Sequence, residues 1–308
     1  MNAKKTKKIV VLATGGTIAG LAAQADKPQN YTAGQVGVDD LLQNVSVDGL
    51  ELITEQVAQI DSKDMSFAVW QNLLARVSYW LEQDDVQGVV ITHGTDTLEE
   101  TAYFLQTVLQ PIKPVAITCA MLPANAPDSD GPGNLKDALA WAKSDTSHGV
   151  ALVCAGQVHA GNAVQKSHSQ QRNPFSSTAT VQQATADTHS LAVLHVPSVA
   201  QVLACKQWPR VELVVNHAGA DGHMVRALMA HDAPHGWVVV GTGNGTLHHD
   251  LEAALLEAHK QGAQVVRASR CAQGGVQSRT ADVLPHAGGL TSVQARVALL
   301  LHLVAEQS

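Results

Sequence analysis

The 308-residue sequence predicts an α/β protein: a larger amino-terminal domain, in which helices cover both faces of a parallel sheet, and a smaller carboxy-terminal α/β domain. Apolar, β-branched runs alternate with helix-like segments, and continuously apolar strands are typical of a parallel sheet that is covered on both faces. A polar, weakly periodic stretch at 167–192 interrupts this alternation. We therefore predict domains at residues 1–195 and 211–308, joined by a linker at 196–210.

The predicted strands share continuous apolar, β-branched composition; they lie at 7–14, 88–94, 114–121, 149–156, 211–218, 236–243 and 263–269. A further short apolar strand precedes the segment QIDSKDM at 59–65. Apolar residues at helical spacing predict helices at 67–83, 96–109, 134–144 and 250–262, the last ending at a glycine. Ligands of such sheets bind beyond the carboxyl ends of the strands, so the functional residues are expected there.

Composition excludes several classes of function. Hydrophobic residues make up 45% and charged residues 15% of the chain, which argues against large-scale disorder. The net charge of −7 disfavours nonspecific binding of nucleic acid, and no apolar run is long enough to predict a transmembrane helix. The 15 histidines contain no HExxH motif, and the proline in HDAPH (231–235) would break the helix such a motif needs, so we predict no metal site.

The four cysteines are far apart in the sequence and show no zinc-like spacing. Reduced thiols are the default expectation, and one disulfide remains the alternative. The cysteines are Cys119, Cys154, Cys205 and Cys271.

The glycine-rich segment ATGGTIAG (13–20) directly follows the first strand. Its spacing fits neither GxGxxG nor a Walker A loop, so both phosphate-binding interpretations fail. A tight turn remains that holds Thr14 and Thr17, and it is either structural or catalytic. A signal peptide at 7–25 is disfavoured because glycines and threonines interrupt the apolar region. Cleavage after LAAQA would also remove Thr17, so we expect any export signal to lie upstream.

Further hydroxyls and charges follow other predicted strands. THGTDTLEET (92–101) places Thr95 and Asp96 at a strand end, with Glu99 and Glu100 near the positive end of the helix dipole. The alternative is that Thr95 or Asp96 only caps that helix. The remaining candidates lie in loops or near the ends of strands: Tyr31 in NYTAG, Asp61, Ser62 and Lys63 in QIDSKDM, and Lys166 in NAVQKSHS.

Together these residues predict a hydroxyl-rich site suited to acyl transfer at a carboxamide. A threonine beside a tyrosine supplies a nucleophile and a proton acceptor, and a second threonine with a lysine and an aspartate supplies a further relay. A desolvated lysine can act as a base, and main-chain N–H groups of glycine-rich turns can bind an oxyanion.

The sequence resembles the bacterial L-asparaginase family, which includes the asparaginase–glutaminases. The motifs that carry the resemblance occur in the family's order; they are ATGGTIAG, NYTAG, DSKDM, HGTDTLEETAYFL, AMLP with SDGPGNL, the lysine of NAVQK, and GTGNGTL at 241–247. The resemblance implies that Thr17 is the nucleophile with Tyr31 as its partner, and that Thr95, Asp96 and Lys166 form a second catalytic triad. It also implies that Asp61, Ser62, Thr95 and Asp96 bind the substrate.

The implied activity is hydrolysis of L-asparagine to L-aspartate and ammonia through a threonine acyl-enzyme, with no cofactor. The implied assembly is a homotetramer, a dimer of dimers, in which each site lies between the large domain of one subunit and the small domain of its neighbour. We expect a cytoplasmic protein, or a periplasmic one if an upstream signal is missing from this chain. The alternatives are a glutaminase-asparaginase that also takes L-glutamine, a noncatalytic amino-acid-binding protein, and an ammonia-supplying subunit of an amidotransferase.

Three residues depart from the family pattern. Lys63 stands where the high-affinity branch usually has glutamine, and Thr246 replaces an asparagine. Asp282 aligns loosely with an acidic residue, often glutamate, that the neighbouring subunit donates to the site. A lysine near the substrate's ammonium group would repel it, so Lys63 either points away or alters the preference between asparagine and glutamine.

Overall fold

A computed structural model describes residues 6–43, 45–177, 195–279 and 282–307. The chain divides into two compact units, residues 1–176 and 177–308. Each unit is built on a parallel or mostly parallel sheet with helices packed on it, which confirms the predicted α/β class. Within the described residues, no helix combines the length and the apolar character needed to cross a bilayer.

The strands of the first unit are β1 Lys8–Gly15, β2 Leu21–Ala22, β3 Tyr31–Thr32, β4 Glu51–Ile60, β5 Val86–Thr92, β6 Val115–Thr118, β7 Val150–Cys154, β8 Gln157–Ala160, β9 Val164–Lys166 and β10 Phe175–Ser177. The last residue of β10 is assigned to the second unit. Its helices are α1 Val38–Leu42, α2 Phe67–Leu81, α3 Leu98–Leu109 and α4 Gly131–Lys143. These elements include every strand and helix predicted for residues 7–156.

The main sheet has the strand order β4-β1-β5-β6-β7-β8. All pairs are parallel except β7 with β8, which is antiparallel. The central β1 is buried from Ile9 to Gly15, as its continuously apolar sequence predicts. The strand that leads into QIDSKDM, β4, is ten residues long. It is only partly buried because it is an edge strand of the sheet.

Two layers of helix cover the main sheet. On one face, Ile9 and Val11 pack with Leu135 and Leu139 of α4. Alternation along a strand directs Val10 and Leu12 to the opposite face, and α2 and α3 also pack on the sheet. Trp70 of α2 stacks on Phe104 of α3, with ring centroids 4.7 Å apart. The sheet edge that carries the ends of β1 and β5 is therefore held from both sides.

The second unit contains α5 Val199–Ala204, β11 Val211–Val215, α6 His223–His231, β12 Gly236–Gly241, α7 His249–Lys260, β13 Gln264–Ser269 and α8 Ser292–Glu306. The strands form a parallel sheet in the order β11-β12-β13. Leu251 and Leu255 of α7 pack with the fully buried Trp237 of β12. Neither α6 nor α8 was predicted from the sequence.

The boundary between the predicted domains stays a prediction. The short helix α5 lies within the predicted linker at 196–210. In the polar stretch at 167–192, Phe175–Ser177 pairs with β9, and residues 178–194 lie outside the described residues. All four cysteines are free in the structure, and the Cys119 and Cys154 sulfur atoms lie 3.7 Å apart.

Candidate active site

Thr17 lies on a turn that two glycines make possible. Gly15 and Gly16, with φ of 105° and 78°, occupy backbone conformations that side chains disfavour. Thr17 then starts a 3₁₀ turn, and its side chain is buried at the carboxyl end of β1. Its Oγ1 lies 2.8 Å from the Tyr31 hydroxyl oxygen. The structure thus brings the two residues of the predicted nucleophile pair into hydrogen-bonding contact.

Tyr31 belongs to a small antiparallel ladder, whereas the sequence placed it in a loop. The strand β3 pairs with β2, with Leu21 opposite Thr32 and Ala22 opposite Tyr31. A Cβ atom on Gly20 would lie 2.8 Å from the Tyr31 ring. The tyrosine is therefore packed against the turn that carries Thr17.

At the ends of β1, β4 and β5 the chain segments approach so closely that the glycines there have no room for a side chain. A Cβ atom on Gly16 would lie 2.3 Å from the main-chain nitrogen of Gly94, and one on Gly94 would lie 2.5 Å from the Ser62 hydroxyl oxygen. Thr17 and Thr95 each directly follow one of these glycines. The close approach of the two backbones therefore places the two predicted catalytic threonines on adjoining turns.

Lys166 joins the second threonine to an aspartate. Its Nζ donates to Thr95 Oγ1 at 2.8 Å and to Asp96 Oδ1 at 2.6 Å. The lysine side chain is only 16% exposed, whereas that of Asp96 is 53% exposed. The structure thus assembles the predicted Thr95, Asp96 and Lys166 from two segments about seventy residues apart.

Ser62 is buried and supports the same loop. Its Oγ accepts the Asp96 main-chain N–H at 3.1 Å, and its carbonyl oxygen accepts the Thr97 hydroxyl at 2.7 Å. Because Oγ acts as the acceptor in the first contact, its O–H can still donate to a carboxylate. Ser62 therefore lies beside the Thr95–Asp96 turn, as the prediction of a substrate-binding serine requires.

Lys63 is held by carboxylates of its own loop. Its Nζ forms ion pairs with Asp61 at 2.9 Å and with Asp64 at 3.0 Å. The hydrogen bonds that Lys63 donates to Asp61 and, less strongly, to Asp64 raise the pKa of the lysine. The carboxylate of Asp61, a predicted substrate ligand, is thus directed to Lys63. The positive charge that departs from the family pattern is compensated locally.

His93 was not among the residues that the sequence indicated as functional. Its ring contacts the backbone of the turn that carries Thr95. The fully buried ring places Nδ1 2.7 Å from the Gly94 carbonyl oxygen and Nε2 3.0 Å from Thr101 Oγ1. Thr101 Oγ1 in turn accepts the Trp70 indole N–H at 3.0 Å. Every donor meets an acceptor if Thr101 donates to Nε2 and Nδ1 carries the proton. Burial lowers the pKa of His93 to about 4, which keeps the ring neutral at pH 7.

Hydrogen bonds connect the loop that follows β6 to the β2–β3 hairpin. The Asp130 carboxylate accepts the main-chain N–H groups of Met121 and Leu122, each at 2.9 Å. The Asn125 side chain accepts from the Ala22 N–H and donates to the Ala22 carbonyl. The segment AMLPANAPDSDGPGNL therefore positions the hairpin that presents Tyr31.

Thr246 and Asp282 lie in the second unit. Thr246 Oγ1 donates to the Thr242 carbonyl at 2.9 Å. The Asp282 carboxylate pairs with Arg267 at 2.7 Å and accepts the Arg279 N–H at 2.8 Å. The Arg267 guanidinium holds the pKa of Asp282 below its usual range. The prediction that Asp282 serves a neighbouring subunit stays a prediction, and within its own chain the carboxylate is occupied.

Among the described residues of the second unit, two groups of side chains could bring ligand atoms together around a metal ion. They are His195, His302 and Glu306, and His248, His249 and Asp250. Neither group includes a predicted catalytic or substrate-binding residue. In the first, His302 Nδ1 already accepts the His195 main-chain N–H at 3.2 Å, so metal binding at Nε2 would require the other tautomer.

Comparison with known proteins identifies relatives over nearly the whole chain. The family model described as Asparaginase, N-terminal matches residues 8–198, and the Glutaminase/Asparaginase C-terminal domain matches residues 210–308. L-asparaginase 2 of Escherichia coli (strain K12) is 36% identical over 96% of this chain and 88% of that protein. Glutaminase-asparaginase of Pseudomonas fluorescens biotype A is 34% identical over 90% and 79%, respectively. The crystal structure of a probable cytoplasmic L-asparaginase from Campylobacter jejuni superposes with a TM-score of 0.84 at 31% identity, covering 96% of this chain and 95% of that one.

We predict that Gly94→Ala destabilises the protein by about 1–3 kcal/mol, because the added methyl would overlap Ser62 and crowd Gly16. Urea unfolding measures the change. Gly133→Ala is the matched control: a Cβ there meets nothing within 4 Å, so its effect should be neutral or stabilising by up to about 1 kcal/mol. The double variant Ser62→Gly/Gly94→Ala should lose less stability than the two single changes added together. Simple additivity would show that the overlap is relieved elsewhere.

We also predict a pH-dependent difference between the wild type and His93→Gln. The folded-state pKa of His93 lies below its ordinary 6.5, so its contribution to stability is complete above pH 6.5 and declines as the pH falls toward about 4. The advantage of the wild type over His93→Gln should therefore shrink by up to about 3 kcal/mol across this range. Unfolding curves at several pH values measure it, and a constant difference would contradict a buried, neutral ring. Exposed His148→Gln controls for loss of any histidine at pH 7, with an expected change within about 0.5 kcal/mol.

Proposed function

The chain belongs to the asparaginase family and is an L-asparaginase hydrolase, and we propose that it hydrolyses L-asparagine through an ester formed on Thr17. The observation that carries this proposal is the 2.8 Å separation of the Thr17 and Tyr31 oxygens, on a turn that adjoins Thr95. A hydroxyl is a weak nucleophile until a neighbouring group takes its proton. Tyr31 is placed to do so.

In the first step, the Thr17 oxygen attacks the amide carbon of the substrate side chain. The Thr17 proton passes to the Tyr31 oxygen as Tyr31 relays its own proton to the amide nitrogen. The carbon–nitrogen bond then breaks and ammonia leaves. In the second step, water attacks the ester and returns a proton to Thr17, and L-aspartate is released. The atoms balance as one water consumed for each ammonia released.

Thr95, Asp96 and Lys166 are proposed to activate the water of the second step. In its amine form, Lys166 can take a proton from Thr95, whose hydroxyl oxygen then takes one from water. Asp96 fixes the lysine in this arrangement through its 2.6 Å contact. General-base assistance of this kind is worth about 10²–10⁴ in rate.

The substrate's charged groups are assigned to Ser62 and Asp96. The Ser62 hydroxyl can donate to the α-carboxylate, and the half-exposed Asp96 carboxylate can accept from the α-ammonium group. Asp61 stays a predicted substrate ligand, although its carboxylate lies against Lys63.

A broader preference that includes L-glutamine is the second candidate. Relatives named as asparaginase and as glutaminase-asparaginase resemble this chain almost equally, at 36% and 34% identity. One additional methylene changes transition-state binding by only about 1–3 kcal/mol, so few contacts separate the two activities. Specificity constants for both amino acids distinguish these candidates, and equal values would favour the broader enzyme.

The assembly and the compartment also remain proposals. A homotetramer is supported by the family resemblance, and light scattering in solution should give four chain masses. A cytoplasmic location is supported by the similarity to the probable cytoplasmic L-asparaginase of Campylobacter jejuni. A noncatalytic binding protein would bind L-asparagine without releasing ammonia, so turnover by the wild type tests this alternative.

We predict that Thr17→Ala lowers ammonia release from L-asparagine by about a thousandfold or more, because the ester can no longer form. Calorimetry should still detect substrate binding. Mass spectrometry of acid-quenched wild type should find an aspartyl ester on the peptide that contains Thr17. Thr146→Ala, at an exposed threonine, is the matched control and should retain full activity. Turnover by Thr17→Ala at a near-normal rate would refute the nucleophile assignment.

We predict that Thr95→Val abolishes turnover without unfolding the protein, because valine has the shape of threonine but offers Lys166 no hydroxyl. The far-ultraviolet circular dichroism spectrum should stay unchanged. Normal turnover would show that the second triad is not required.

We predict that Lys63→Gln changes the specificity constants for L-asparagine and L-glutamine by less than about fivefold, because Lys63 is exposed and paired with carboxylates of its own loop. Steady-state ammonia release with each substrate measures the change. A shift of tenfold or more for either amino acid would mean that the ammonium group of Lys63 acts on the substrate.

A further inference from the structure

Lys166 is held at both of its ends by one short segment. Its ammonium group contacts Thr95 and Asp96, and its main-chain N–H donates to Glu99 Oε2 at 3.3 Å. All three partners lie within residues 95–99, where β5 gives way to the first turn of α3. The helix α3 also packs against β9, the strand that carries Lys166.

A lysine needs such support if it is to act at a defined point. Its four-carbon side chain has several rotatable bonds and loses about 2 kcal/mol of rotamer entropy when it is fixed. The strand β9 is only three residues long and pairs with β10 alone among the described strands. A hydrogen bond from its last residue to α3 therefore fixes the point from which the side chain starts.

We propose that Glu99 is a positioning residue for Lys166: its carboxyl group holds the Lys166 main chain against α3, and its charge acts together with that of Asp96 on the Lys166 ammonium group. This inference rests on the proposed function, in which Lys166 takes part in proton transfer. Glu99 acts through Lys166 and is given no contact with the substrate.

The charge state of Glu99 gives this role a pH dependence. Partial burial raises the pKa of Glu99 to about 7, with repulsion from Glu100 adding to the rise, while the N–H and the charge of Lys166 oppose it. Around neutral pH the carboxyl group therefore exists in both states. Ionisation places a second negative charge near the Lys166 ammonium group, beside that of Asp96, and strengthens the attraction between the lysine and residues 95–99.

Two substitutions distinguish the hydrogen bond that Glu99 accepts from Lys166 from the charge of Glu99. Glu99→Gln keeps an oxygen that can accept the Lys166 N–H and removes the charge, whereas Glu99→Leu removes both. The exposed Glu82→Gln, at the end of α2, is the matched control for loss of one carboxylate. Each purified full-length variant is assayed for ammonia release from L-asparagine across a range of pH, and its melting temperature is measured.

We expect Glu99→Leu to lower kcat by about tenfold or more with KM within about threefold, because misplacement of a catalytic group is felt in the chemical step. Glu99→Gln should keep kcat within about threefold of wild type at its own optimum. Its kcat profile should lose the change that accompanies ionisation of Glu99 near pH 7, since the ionising carboxyl group is gone. Glu82→Gln should leave the kcat profile unchanged.

A purely structural role for Glu99 would change the melting temperature while leaving kcat per folded enzyme and its pH profile as in the wild type, and this result would overturn the inference. An effect on KM alone would overturn it as well. Failure of the proposed function is distinguishable, because Thr17→Ala would then retain turnover. If Thr17→Ala is inactive and both Glu99 variants behave as the wild type, only the role of Glu99 is wrong.

Discussion

The close contact between the backbones of Gly16 and Gly94 is the constraint on which the site depends. Where β1 and β5 end, the backbone turns at a glycine each time. A Cβ atom on Gly16 would overlap the Gly94 backbone, and one on Gly94 would overlap the Ser62 side chain and crowd Gly16. The threonines that follow are placed side by side as a result, one directed to Tyr31 and the other to Lys166. Parallel strands deliver their carboxyl ends to one edge, and the paired glycines bring those ends within the reach of a small substrate.

The polar groups around this contact are satisfied mainly by one another. The chain from Trp70 through Thr101 and His93 to the Gly94 carbonyl gives each buried donor an acceptor, which avoids the cost of an unpaired polar group. Ser62 and Asp130 likewise bind main-chain N–H groups of the neighbouring loops. The turns are thus fixed before a substrate arrives, and preorganised groups of this kind need little rearrangement as charge develops in the transition state.

Much of this arrangement could be predicted from the sequence, because strands such as 88–94 are continuously apolar and buried on both faces. The helix α8 was missed, although Thr291 and Gln294 form a capping box at its start. Adjacency within motifs indicated Thr95 with Asp96, and the resemblance indicated Thr17 with Tyr31. The bonds of His93, the compensation of Lys63 and the pairing of Asp282 with Arg267 depend on side-chain directions that no periodicity encodes.

His93 and Glu99 have opposite effects on how the stability of the protein depends on pH. The pKa of His93 is lowered to about 4, so its contribution to stability falls as the pH drops below 6.5. The pKa of Glu99 is raised from 4.5 to about 7, so its contribution, complete below pH 4.5, is lost as the pH rises toward 7. Between pH 4.5 and 6.5, the contribution of His93 to stability increases with pH while that of Glu99 decreases. The free energy of unfolding of the wild type could therefore stay nearly constant with pH although both groups have strongly shifted pKa values. Substitution of either residue should reveal the pH dependence that the other one causes.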